Sequence, residues 1–530
     1  MSNLNRQSHY DQYQEEQGPY KKTKLNEDEQ DEEDYELPDD IEDIDQDELL
    51  QAIQEAENDE NLAFDAEHLE KLIKQFEHNI LKNSQLRSEF PDKPEKFMES
   101  EIELDQKIKK FAHLSAYPEL IQIFVQSSAI QNMILLLQHD NSDIRNEVIN
   151  FIKDFVNMEL EPEEEEKYAI VLNEAQDNFV KYGLFKGLFQ NLTKLKEEKK
   201  EDFEVVFKIL EIIEGILNQQ SEFITVLIND TEFLSWLLKR IALKIQGKIL
   251  DDNKLYCSEI LVQILSNKEA QYLFVEKHLG VEKVIELLAK YKSTDPTNEE
   301  DKEYVLNLFA ALQLLLIDKN AQDEFRVKSG IDLMLKMIKE KIFCSKPSLK
   351  TLMYALLNNP VSCNYFVEVQ GLKYIAPIMI MKGIKSKKDE EQKQINEQVF
   401  SIFRSLIKDT KSLHQERVVN KFRESDFEKI DRLFELHNYY FGYINEIDRQ
   451  MNNPNYIDKM KNQGMDDEEI QEVIYMKKIV QKVSKTFNMH NNSDKEVIKT
   501  ISDLLKNLDP EESKKECDSL KKLLENAKNI

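Results

Sequence analysis

Apolar residues recur at every third or fourth position over most of this chain, in short runs separated by polar breaks. In residues 253–291, apolar positions at helical spacing meet a polar break at Ser266–Lys268, resume at Phe274-Val275, and start again after Gly280. This spacing is typical of helices with one apolar face. The stretch therefore predicts helix, short polar loop and helix, with Gly280 opening a further amphipathic run.

The same order of aromatic residue, glycine and amphipathic run recurs along the chain. Successive turns lie 50 residues apart from Gly280 to Gly330 and 41 apart from Gly330 to Gly371. One such unit leaves an apolar stripe bare, so it needs copies on either side. Periods near 40–50 residues with helical content are typical of armadillo or HEAT repeats. A generic helical bundle is the alternative, but it does not explain why a phenylalanine recurs a few residues before the glycine of each turn. The pairs are Phe179 and Gly183, Phe274 and Gly280, Phe325 and Gly330, and Phe366 and Gly371.

The polar breaks predict the connections of the array. Glycine at the turns is expected because it adopts a left-handed backbone conformation at little cost. The run Glu161–Glu166 is predicted to be an exposed loop, and 194–202, 294–302 and 385–393 are predicted to be charged spacers.

The chain is predicted to be all-α, an armadillo or HEAT-like solenoid of helical repeats with helical caps at both ends. Residues 1–62 are predicted to be a disordered acidic tail, because apolar residues there are too sparse to offset the entropy of ordering. Residues 63–115 are expected to form an N-terminal helical cap, 116–395 the armadillo-like repeats, and 396–530 a C-terminal helical region.

Charge narrows the class of partner. The formal net charge is −31, and residues 1–60 alone hold 22 acidic side chains against four basic ones. So acidic a chain is not expected to bind nucleic acid by neutralising phosphates over a broad surface, and basic protein segments are the natural partners. No apolar run is long enough to cross a membrane. The four cysteines are far apart and predict free thiols in a reducing compartment.

The motifs of common enzyme classes are missing from the sequence. There is no phosphate-binding Gly-x-x-x-x-Gly-Lys-Ser/Thr, no Gly-x-Ser-x-Gly and no His-Glu-x-x-His, and the nine histidines are scattered. Catalysis needs convergent groups at defined spacing. The chain is therefore predicted not to be an enzyme and to bind neither cofactor nor metal.

Five segments carry a resemblance to a known family. They are Phe90–Glu101, Leu136–Asp143, Trp236–Arg240, Asn253–Glu259 and Asn420–His437. In this order they resemble the beta-catenin-like protein 1 family, and the similarity runs from about residue 65 to about residue 445.

The resemblance implies an armadillo-repeat protein of the nucleus that is associated with the spliceosome. Members of that family join a complex built around a Myb-repeat splicing factor and a ubiquitin-ligase scaffold, and are thought to bind basic, import-signal-like segments of splicing factors. By this resemblance the chain would be a non-catalytic scaffold or adaptor in pre-mRNA splicing. A nuclear import adaptor and a regulatory subunit of another nuclear complex are the alternatives, and association of two copies stays open.

Candidate binding residues follow from the same stretches. Trp236 is the only tryptophan, and Asn253 and Tyr256 lie in a segment shared with the family. All three are candidates for partner binding, with core packing and helix capping as the alternative roles. Lys21, Lys22 and Lys24 are the candidate nuclear-import signal, or otherwise a solvated cluster in a polar tail.

Overall fold

The computed structural model describes residues 64–160, 162–245, 250–425, 427–433 and 435, without the side chains of residues 163 and 165. Its described residues hold 21 α-helices and no strand. Two of them, α1 (Ala66–Glu89) and α2 (Met98–Lys110), precede the repeats and are joined by a connector with one 3-10 turn at Pro94–Lys96. This connector agrees with the two prolines of the segment, which disfavour a continuous helix.

Six triplets of helices follow. The first three are α3 (Ile121–Gln126), α4 (Ala129–Leu136) and α5 (Ser142–Val156); α6 (Pro162–Lys181), α7 (Leu184–Leu192) and α8 (Lys200–Gln219); α9 (Phe223–Asp230), α10 (Phe233–Ala242) and α11 (Asp252–Ile264). The last three are α12 (Lys268–Glu276), α13 (Gly280–Leu288) and α14 (Glu299–Leu315); α15 (Lys319–Val327), α16 (Gly330–Glu340) and α17 (Ser345–Leu356); α18 (Pro360–Glu368), α19 (Leu372–Met379) and α20 (Asp389–Asp409). Helix α21 (Ser412–Arg423) follows them.

Three helices per repeat is the armadillo arrangement, whereas a HEAT repeat has two. The predicted all-α armadillo architecture is therefore confirmed, and the third helix is the element that completes each unit. The third helices α5, α8, α11, α14, α17 and α20 pack one on the next in an unbroken row, and α2 extends this row by packing on α5. Their solvent-facing side is called the third-helix face below.

Local sequence explains where the repeats begin. The first helices α12, α15 and α18 are capped by the side chains of Asn267, Asp318 and Asn359, each of which accepts a backbone N–H from the first turn. Such caps satisfy N–H groups that have no partner within the helix. The polar breaks seen in the sequence are thus the start signals of the next triplet.

The loop predicted at Glu161–Glu166 is wrong, because Pro162 begins helix α6. Proline is favoured at the first helical position, and carboxylates near a helix N-terminus interact well with its dipole. The charged spacers likewise end earlier than predicted, since α8, α14 and α20 begin at Lys200, Glu299 and Asp389.

The glycines at the turns act differently from the prediction. Only Gly183 among the described glycines has a left-handed backbone, with φ +94°. In three later repeats the preceding residue takes that conformation, namely Leu279, Ser329 and Gln370. A Cβ on Gly280 would lie 2.0 Å from the ring of buried Phe274, and Gly330 and Gly371 are similarly close to Phe325 and Phe366. Glycine at these three positions therefore leaves the space that the aromatic ring occupies.

Candidate functional site

Four glutamates lie along three successive third helices. Glu211 and Glu214 are on α8, Glu259 is on α11 and Glu303 is on α14. Glu303 is exposed and the other three are half-buried. We call these four residues the glutamate row. Glu259 lies in the middle of the row. The charges that act on it are those of Glu303 on α14 and Glu214 on α8, the third helices on either side.

The electrostatics of the glutamate row favour a cation. Burial raises the pKa of Glu259, and repulsion from Glu303 and Glu214 raises it further. Burial also raises the pKa of Glu211, where Asp154 and Glu214 add to the effect and Lys153 and Lys208 oppose it. A carboxylate with like charges nearby resists ionisation until an opposite charge approaches. The row is thus a place where an incoming Lys or Arg would be stabilised.

Neighbouring polar groups hold the row in place. The Tyr256 hydroxyl donates a hydrogen bond to Glu214 across the α8–α11 contact. Lys208 donates to Asn150 Oδ1 at 2.7 Å, which directs its ammonium toward α5. Glu214 is therefore held by a contact between third helices, and the spacing of the row depends on how these helices pack.

The structure places the three predicted binding residues in different surroundings. Tyr256 is half-buried beside the glutamate row, and its ring packs on Phe207 with centroids 5.2 Å apart. Trp236 is half-buried on α10, stacked on Phe233 at 5.7 Å. Asn253 is fully buried. Only Tyr256 of these three contacts a member of the row through its side chain, and the binding roles of all three stay predictions.

Asn253 belongs to a buried polar network. It donates to Glu197 Oε2 at 2.8 Å and to the carbonyl of Phe203 at 3.0 Å. Glu197 is also held by Arg240 in a two-pronged pair, with Nε–Oε1 2.6 Å and Nη2–Oε2 2.8 Å, and Arg240 Nη2 bonds Asp251 Oδ1 at 2.5 Å. Planar guanidinium suits such paired carboxylates. This network joins α10 and α11 to the segment before α8.

The described residues also bear on metal binding, membrane insertion and cysteine pairing. Within those residues no group of three or more His, Cys, Asp or Glu side chains could hold a metal ion. No helix there is long and apolar enough to cross a membrane. Cys257, Cys344 and Cys363 are buried and unpaired among the described residues. Lys21, Lys22 and Lys24 lie outside that part, as does Cys517.

Sequence reasoning missed the glutamate row. It predicted basic protein segments as partners but named no carboxylate that would bind them, because the face that a residue occupies depends on the register between third helices. The available signal was the set of polar positions inside otherwise apolar third helices, read in phase across repeats.

Comparison with known proteins gives the family. The family described as catenin-beta-like, Arm-motif containing nuclear, matches residues 47–509. Beta-catenin-like protein 1 of Homo sapiens, and equally that of Rattus norvegicus, is 31% identical over 418 residues, covering 78% of this chain and 73% of the relative. The homolog of Schizosaccharomyces pombe is 29% identical over 372 residues, covering 70% and 63%.

Solved structures align more weakly. A designed armadillo repeat protein matches with a TM-score of 0.33 and 15% identity, over 57% of this chain and 93% of that one. So weak a likeness says nothing about function.

Proposed function

Because this chain belongs to the catenin-beta-like family of nuclear armadillo-motif proteins, we propose that it is a non-catalytic scaffold of the spliceosome in the nucleus. Its part in pre-mRNA splicing is to bind basic segments of splicing factors on the third-helix face. The glutamate row is the observation that carries the proposal.

In this proposal the partner's basic segment lies extended along the third helices. Its Lys or Arg side chains meet Glu211, Glu259 and Glu303, which belong to three successive repeats. Each new ion pair removes like-charge repulsion among the carboxylates as well as adding attraction. Charge complementarity of this kind selects partners and speeds their encounter. Tyr256 keeps Glu214 oriented, while Asn253 and Trp236 support the helices that carry the row.

A direct binding experiment tests the peptide step. The probe is a fluorescent peptide of alternating Lys and Arg, titrated into the full chain and into the Glu211→Gln/Glu259→Gln/Glu303→Gln variant. We expect the variant to lose at least about tenfold in affinity, since three charge pairs are removed. Salt of about 0.5 M should weaken binding to the unaltered chain, because it screens partly exposed charges.

The matched control changes the same number of charges elsewhere. Glu222, Glu232 and Glu276 are exposed and lie in the first and second helices or their turns. Their triple change to Gln should leave affinity within about twofold, because these sites lie off the third-helix face. Equal losses in both variants would show that net charge alone attracts the peptide, and the proposal would fail.

The cellular part of the proposal is tested separately. Affinity purification of the full chain from nuclear extract, followed by mass spectrometry, should recover splicing factors, and the glutamate variant should recover fewer. Recovery of cytoskeletal proteins alone would refute the spliceosome assignment. Dependence of cargo binding on a transport GTPase would instead favour an import adaptor.

A further inference from the structure

A second surface on the same array has the opposite charge. An open pocket of about 570 Å³ lies at the N-terminal ends of α17 and α20. Its walls are residues 341–343, between α16 and α17, residues 345–347 at the start of α17, and residues 383–385, between α19 and α20. Leu306 of α14 and Glu391 complete it. We call this cavity the lysine pocket.

The two segments around the pocket are strongly basic. Residues 341–350 and 382–388 together contain seven lysines and no acidic residue, in a chain whose net charge is −31. Lys346 pairs with Glu391 across the pocket. Lys341 and Lys385 are exposed and make no ion pair with any described residue. The pocket therefore keeps positive charge at its rim.

Beside this rim the pocket offers apolar surface. Leu306 is 45% exposed, although Leu308, Leu312 and Leu315 of the same helix are buried and Leu314 is half-buried. Pro347 and the half-buried Phe343 line the pocket next to it. The Phe343 N–H donates to Asp295 at 2.7 Å, which fixes the segment between α16 and α17 against the preceding repeat. An apolar wall with a cationic rim fits one large apolar side chain flanked by carboxylates.

The side chains favour peptide over nucleic acid. Single-stranded nucleic acid is usually held by exposed aromatic rings on which bases stack, together with Arg. Here the most exposed apolar group is the aliphatic Leu306, the ring of Phe343 packs against the core, and the cations are lysines. Leucine binds a peptide's apolar side chain well but offers no platform for a base.

We propose that the lysine pocket binds an acidic peptide segment of a partner protein. Carboxylates of the segment pair with Lys341 and Lys385, and one large apolar side chain lies against Leu306 and Pro347. This site is distinct from the glutamate row in charge and in ligand, so either can be lost while the other remains.

The test uses fluorescent probes on the full chain. The first probe is a twelve-residue peptide of Asp and Glu with one central Phe. The second has Ser in place of Phe, and the third is a twelve-nucleotide polyuridine. We expect the Phe peptide to bind best. Lys341→Glu/Lys385→Glu should weaken it by at least about tenfold, because two attractive contacts become repulsive.

Two further variants separate the contributions. Leu306→Ala should weaken the Phe peptide by about threefold to tenfold and leave the Ser peptide within about twofold, because only the apolar contact is removed. Lys239→Glu/Lys277→Glu changes two exposed lysines away from the pocket, one on α10 and one directly after α12, and should leave binding unchanged. Circular dichroism confirms that each variant is folded.

Three results would overturn the proposal. One is equal weakening by the two lysine variants, which would mean general attraction to positive charge. Another is a Leu306→Ala effect that is the same for both peptides. The third is tighter binding of polyuridine than of the Phe peptide, which would assign the pocket to nucleic acid. The glutamate-row variant should retain the acidic peptide, which keeps this test independent of the proposed function.

Discussion

At the scale of single residues, the repeat depends on a contact between an aromatic ring and a glycine. Phe274, Phe325 and Phe366 are fully buried, and each lies over the glycine that begins or precedes the second helix of its triplet. A side chain at that glycine would occupy the space of the ring. Interiors pack at crystal-like density, so such a collision is not absorbed easily.

Gly280→Ala is therefore expected to destabilise the protein. Its Cβ would lie 2.0 Å from Phe274, and overpacking of this kind costs about 1–3 kcal/mol. Urea unfolding followed by circular dichroism measures the loss. Combining Gly280→Ala with Phe274→Leu should cost less than the sum of the two single changes, because the smaller side chain makes room.

Gly183→Ala is the informative comparison. Nothing lies within 4 Å of the position its Cβ would take, and the backbone is left-handed at φ +94°. Its cost of about 1 kcal/mol would come from backbone strain alone, and no partner substitution should relieve it. Full additivity at Gly280 and Phe274 would contradict the packing explanation.

Arg240 is buried together with the two carboxylates that it pairs with. Its side chain is 2% exposed, against 9% for Glu197 and 6% for Asp251. Arg240→Met removes the cation and leaves two buried carboxylates without an opposite charge, which costs about 3–5 kcal/mol. Arg240→Lys should cost less because it keeps the charge while losing the two-pronged geometry.

Chemical unfolding distinguishes these variants from a neighbour. Lys239→Met, at the adjacent exposed position, should change stability by no more than about 0.5 kcal/mol. A small loss of stability for Arg240→Met would mean that water enters and solvates the carboxylates. The network would then contribute little to joining α10 and α11 to the segment before α8.

At the scale of helices, polar side chains join one triplet to the next. The Gln271 amide donates to the carbonyl of Leu265 at 2.8 Å, and Gln322, in the same position of the next repeat, donates to that of Leu316 at 3.0 Å. Both carbonyls belong to the C-terminal end of a third helix, where carbonyls have no helical partner. In these two triplets the first helix thus caps the third helix before it.

Gln322→Leu should cost more than Gln271→Leu. Gln322 also donates to the carbonyls of Tyr354 at 2.9 Å and Leu357 at 3.2 Å, and it accepts from Asn359 at 3.1 Å. Leaving buried acceptors without a donor costs about 1–3 kcal/mol. Hydrogen exchange by mass spectrometry should show faster exchange at the ends of α14 and α17 in the Gln322 variant.

The Gln271 variant loses one such bond and serves as the control. Its exchange should increase only near the end of α11. Equal exchange in the two variants would show that these amides do not join the repeats.

The sequence predicted the helices and their period because both follow from apolar spacing, which is local. It failed at Glu161–Glu166, where charge density resembled a loop although Pro162 and the acids after it form a good helix start. It also failed to name the glutamate row. Glu214 and Glu259 lie 45 residues apart, and only the packing of α8 on α11 brings them together.

At the scale of the array, the two proposed sites meet on α14. Glu303 belongs to the glutamate row, and Leu306, one turn further along the same helix, lines the lysine pocket. The two proposed sites therefore adjoin each other with opposite charge. A partner whose basic and acidic segments are adjacent would have its direction along the array fixed by this polarity, since like-charge placement is costly.

The glutamate row also gives a pH dependence. Burial, and then repulsion among the carboxylates, raises the pKa of Glu259, and burial raises the pKa of Glu211. For a group whose folded pKa is raised, stability is highest below the unfolded pKa and is lost as pH rises through the folded one. Near neutral pH the ionised glutamate row therefore lowers the stability of the free protein. Glu211→Gln/Glu259→Gln should raise its melting temperature, and the Glu222→Gln/Glu276→Gln control should not.

The affinity for a basic peptide should also depend on pH, in the opposite direction to the stability of the free protein. A Lys or Arg beside Glu211 and Glu259 favours their ionised form, so the complex holds fewer protons than the free protein at mildly acidic pH. Affinity should fall as pH is lowered from about 7 to about 5, and calorimetry in buffers of different ionisation enthalpy should detect released protons. In the Glu211→Gln/Glu259→Gln variant both effects should shrink. Affinity that is constant over this range would mean that the cations of the peptide do not reach the row.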